Sequence, residues 1–106
     1  MNSIDKSFVN KYKKNGFCYG IEIFSENETN NIRSEIEDLE LKFKNGVSGQ
    51  KLDQYFRVNG HIVIPLLANL SKSPKILDHV ELLLGSNILV WSVELFIKEP
   101  GSSKIV

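Results

Sequence analysis

Residues Asn87–Val106 read NILVWSVELFIKEPGSSKIV, and the alternation within them decides the expected fold class. Successive side chains of a strand leave opposite faces. Over Ile88–Lys98 this places Leu89, Trp91, Val93, Leu95 and Ile97 on one wholly apolar face, expected to pack on the preceding helices. The other face carries Ile88, Val90, Ser92, Glu94, Phe96 and Lys98. A hydroxyl, a carboxylate and an amine set among apolar groups suit the wall of a ligand cavity. Periodicity alone favours a plainer alternative, a half-exposed strand with Glu94 and Lys98 in water. Pro100-Gly101 turns the chain.

Working back from that strand, Ser73-Pro74 starts a helix, with a hydroxyl at the cap and proline where its missing N–H costs nothing. Ile76, Leu77, Val80, Leu83 and Leu84 give this helix an apolar face, and Gly85 closes it. His61–Leu70 is apolar with one proline and reads as a short helix. Residues 46–60 read as a polar loop with a short strand around Tyr55–Val58. Ser25 and Glu28 have capping-box spacing, which opens a helix over about 26–44 with Ile32, Ile36, Leu39 and Phe43 as its buried stripe. Phe17–Phe24 reads as a strand, and residues 4–14 as an opening helix ended by Asn15-Gly16. The expected class is α+β, a single domain over residues 1–106.

Composition narrows the function. Thirteen basic residues balance thirteen acidic ones, so no electrostatic footprint for nucleic acid or an anionic membrane exists. Lys11, Lys13 and Lys14 read as a solvated helix end. Cys18 is the only cysteine, which excludes an internal disulfide and fits a buried thiol in a reducing cytoplasm. No apolar run approaches the roughly 20 residues needed to span a bilayer, and the opening MNSIDKSFVNKYKK lacks the apolar region of a signal peptide. The glycosylation patterns at Asn27 and Asn69 then read as chance matches.

Read together, SPKILDHVELLLGSNI at residues 73–88, Trp91-Ser92 and Lys98-Glu99-Pro100-Gly101 resemble the phytanoyl-CoA dioxygenase family. The Asn15-Gly16-Phe17 strand opening and the Ser25 helix fit that family's amino-terminal region. The resemblance implies the amino-terminal helices and first strands of a double-stranded β-helix, or jelly roll. It also implies iron(II) as cofactor, 2-oxoglutarate as co-substrate and hydroxylation as the default reaction. A facial triad of two histidines and one carboxylate suits that chemistry because it leaves coordination positions open. The family's His-x-Asp follows the Lys-Glu-Pro-Gly turn, and its second histidine comes much later. Neither is found in residues 1–106, so this portion alone is expected to be inactive and to bind no cofactor tightly.

The resemblance places Ser92, Glu94 and Lys98 at the border of the 2-oxoglutarate and substrate pocket, with Arg57 near the co-substrate. His61 and His79 are not expected to bind iron. Asp78 and His79 are adjacent on a helix and point apart, and His61 is followed two positions on by Val63 rather than a carboxylate. A halogenase-type relative shares the sequence around the turn, and the family's substrates range over acyl-CoA thioesters, free metabolites and carrier-bound amino acids. The alternative of a different class is a non-catalytic α+β module that binds a partner, or itself, through an exposed sheet edge at Ile88–Lys98.

Overall fold

The computed structural model of the chain describes residues 4–49 and 57–103. These form four α-helices and one 3-10 turn: α1 (Ser7–Asn15), α2 (Glu26–Lys42), the turn Gly60–Ile62, α3 (Pro65–Ser71) and α4 (Pro74–Leu84). Each helix begins and ends for a local reason. Ahead of α1, the Ser7 backbone N–H and hydroxyl both donate to the Asp5 carboxylate, at 2.8 and 3.0 Å. Those bonds hold the Asp5 carboxyl below its ordinary pKa. Gly16 closes α1 at φ 79°, in the left-handed region that favours glycine, and its N–H donates to the Tyr12 carbonyl.

At the start of α2 both halves of the capping box form. The Glu28 N–H donates to Ser25 Oγ at 3.3 Å, and the Ser25 N–H donates to Glu28 Oε2 at 2.9 Å. The helix stops at Lys42, slightly before the expected end, and Phe43 caps it through Leu39. Pro65 divides the apolar stretch expected as one helix. Proline disfavours helical backbone in the residue before it, so Ile64 is extended and separates the 3-10 turn from α3. Pro74 stands at the start of α4 as the sequence requires, but the Ser73 side chain makes no cap bond. Its carbonyl instead accepts from the N–H groups of Ile76 and Leu77.

Two small apolar centres hold the helices together. Ile64 and Leu67 are buried, and Ile36 and Leu39 of α2, Leu66 and Leu70 of α3, and Val93 and Leu95 pack around them. Phe8 of α1 is buried near α4, where its ring lies 5.7 Å from that of His79. The expected stripe of α2 is thus only half-buried, and Cys18 is also half-buried.

The jelly-roll expectation is overturned. Among the described residues there is no sheet, and the chain is mostly helical rather than α+β. Strand pairing there is limited to an isolated antiparallel bridge between Val58 and Glu94. Tyr55 and Phe56, the start of the expected short strand, lie outside the described residues. Period-two alternation marks a segment able to be a strand, but a strand exists only when a neighbour takes its N–H and C=O groups. Among the described residues Phe17–Phe24 finds no such neighbour, and Gly20 at φ 73° interrupts its extended run.

The closing run corrects a second expectation. Val93 and Leu95 do pack on the helices, whereas Leu89 and Trp91 on the same predicted face are 87% and 92% exposed.

Candidate functional site

The residues expected to border a pocket gather around the Val58–Glu94 bridge. The Leu95 N–H donates to the Arg57 carbonyl at 3.3 Å, which ties this run to the segment before the 3-10 turn. Side-chain burial then alternates as in a strand: Val93 and Leu95 inward, Glu94 and Phe96 outward. Ser92 and Glu94 share the outward face, where Ser92 Oγ donates to Glu94 Oε1 at 3.1 Å. Lys98 follows on that face by register and is exposed.

Arg57 is a neighbour of this group through its backbone only. Arg57 is itself helical and meets this run through its carbonyl, one residue before the bridge at Val58. The structure therefore joins Ser92 to Glu94, leaves Lys98 exposed further along the same run and brings in Arg57 by its backbone carbonyl alone.

The chemistry of these groups fits the expected ligands unequally. 2-Oxoglutarate is a dianion, and on this face only Lys98 offers it positive charge. Glu94 repels a carboxylate and serves instead to orient the Ser92 hydroxyl. Among the described residues no group of three histidine, cysteine, aspartate or glutamate side chains is placed to hold a metal ion. His79 Nδ1 lies 2.7 Å from the Lys75 carbonyl in its own helix. His61 is half-buried in the 3-10 turn, and its Nδ1 has no hydrogen-bond partner among the described residues.

A cleft of about 580 Å³ lies elsewhere, between α1, residues 19–23 and α4. Tyr19, Glu22, Lys11, Asp78 and His79 line it together with apolar Ile21 and Ile23. None of the four expected site residues lines it. The sequence signal was the alternation that put Tyr19, Ile21 and Ile23 on one face, but it carried no sign of which helices would face them. Lys75, also in the lining, is engaged: its ammonium pairs with Glu28 and lies over the Phe24 ring, 5.8 Å from the centroid. With the Ser25 N–H, this pairing pulls the Glu28 carboxyl down to a pKa of about 2, the Lys75 bond being the larger cause.

Comparison of the chain with protein-family models, with curated proteins and with solved structures finds no match in any of the three.

Proposed function

We propose that the chain is part of an iron(II)- and 2-oxoglutarate-dependent dioxygenase of the phytanoyl-CoA type and that it supplies pocket wall rather than metal ligands. The observation that supports this is the two-faced run Ser92–Lys98. Val93 and Leu95 anchor one face on the helices, and the opposite face presents the bonded Ser92–Glu94 pair with Lys98 in line. In this reading Lys98 attracts the co-substrate carboxylate, and Ser92, oriented by Glu94, donates to or accepts from the substrate. No chemical step is assigned to the described residues.

The coding sequence beyond Val106 tests the proposal. The expected result is a His-x-Asp, or a His-x-small-residue motif of the halogenase type, within about twenty codons in frame. In the longer protein Lys98→Ala should raise the KM for 2-oxoglutarate and leave kcat nearly unchanged, as loss of uniform binding does. An open reading frame without such a motif overturns the proposal, as does tight iron(II) binding by the 106-residue chain itself in a calorimetric titration.

The surface supports a second reading, a non-catalytic self-associating module. Large apolar side chains at Tyr19, Leu89, Trp91 and Phe96 stand exposed, and a second copy that covers them would be stabilised by their burial.

A further inference from the structure

We propose that the run Glu94–Lys98 pairs antiparallel with the same run of a second copy of this chain, about a two-fold axis at Phe96. The proposal deepens the self-association reading and competes with the oxygenase reading, because the pairing engages the Glu94 and Lys98 side chains that the latter assigns to the pocket.

The edge is defined by the hydrogen bond already made. In a strand the N–H and C=O of one residue leave by one edge and those of the next by the other. Leu95 sends its N–H to Arg57, so with the run extended to Lys98, as the proposed pairing requires, Glu94, Phe96 and Lys98 turn their backbone groups to the opposite edge. Among the described residues no backbone hydrogen bond engages any of these three. A row of free donors and acceptors of this kind is a template for another strand.

Charge selects the partner and the register. An axis at Glu94 sets two carboxylates against each other, and an axis at Lys98 sets two ammonium groups together. An axis at Phe96 sets Glu94 opposite Lys98 of the second copy, twice by symmetry, with the two Phe96 rings between them. Opposite charges and aromatic pairs directly across an antiparallel ladder are stabilising, and like charges are destabilising. Glu94 is ready for this contact, because Ser92 occupies Oε1 and leaves Oε2 for the ammonium. Phe96 is 73% exposed, and the pairing gives its ring a partner. The ladder ends where it must: Ser92 would next face Pro100 of the second copy, which has no N–H to donate.

Sedimentation equilibrium on the purified 106-residue chain tests this, with circular dichroism to check that the helices persist in each variant. A concentration-dependent dimer is expected. Lys98→Glu and Glu94→Lys should each weaken it about tenfold, since both symmetry-related attractions become repulsions. The double variant Glu94→Lys/Lys98→Glu should recover to within about threefold of the parent, because the charges again face their opposites. Phe96→Pro removes a donor from the free edge only and should abolish the dimer. A chain that stays monomeric at all concentrations overturns both the pairing and the self-association reading. A dimer indifferent to the single reversals, or not restored by the double one, overturns the pairing and leaves self-association standing.

Discussion

The start of α2 and the run from Leu89 to Phe96 are both strongly patterned in sequence, yet the fold treats them differently. At Ser25–Glu28 every expected bond forms, between groups three residues apart. In the later run the pattern is equally regular, but only Val93 and Leu95 find the neighbours that their apolar face requires. Leu89 and Trp91 continue that face into water. A cap carries its partner within its own turn, whereas a strand depends on groups distant in the chain. The pattern of a strand therefore states a capacity, and the rest of the structure decides whether it is used.

The sharpest way to break this comparison is to truncate one apolar residue on each side of it. Leu67 is 2% exposed at the centre of the α2–α3 cluster. Leu67→Ala should destabilise the chain by about 2–5 kcal/mol in urea unfolding, through lost burial and the cavity left behind. Trp91 is a larger side chain, but at 92% exposure it has almost no burial to lose. Trp91→Ala should lie within about 0.5 kcal/mol of the parent. If Trp91→Ala costs as much as Leu67→Ala, the Leu89–Trp91 face is covered in solution and the contrast fails.

A smaller effect is expected at the cap. Ser25→Ala removes the acceptor for the Glu28 N–H and should cost about 1 kcal/mol in the same experiment. A loss confined to the first turn of α2 should appear as faster amide exchange near Glu28, with exchange around Leu67 slowed or hastened only as global stability dictates. Faster exchange spread evenly over α2 and α3 would show that the cap is coupled to the core.

Legibility in the sequence follows the same division. Gly16, the Ser25–Glu28 box, Pro74 and Gly85 marked the helix boundaries because each acts on backbone groups within one turn. The Ser92–Glu94 contact was legible as a shared face, since strand neighbours two apart are also local. What the sequence did not hold was long-range. Nothing in Arg57 or Val58 announces that they meet Leu95 and Glu94, or that Arg57 does so by its backbone. The cleft beside α1 was hidden for the same reason, because its lining comes from three separate stretches of chain. The jelly roll came from the resemblance, and the strands it requires are absent among the described residues, where alternating runs find no ladder.

Glu28 joins the two kinds of contact, which makes it the finest test of the difference. Its Oε2 serves the local cap through the Ser25 N–H, while Oε1 accepts from Lys75 of α4, far along the chain. Both bonds require the ionised carboxylate, and together they lower its pKa from the ordinary 4.5 to about 2. A carboxyl with a depressed folded pKa contributes stability above its unfolded pKa and loses it as the pH falls through the folded value. The contribution should be intact above about pH 5 and fade between about 4.5 and 2. The pair is solvent-exposed, so salt should shrink the effect. Glu28→Gln should flatten that limb of the stability–pH curve, and Lys75→Met should flatten it only in part, because the cap remains. If Lys75→Met leaves the limb unchanged, the long-range arm contributes nothing and Glu28 acts through its own turn alone.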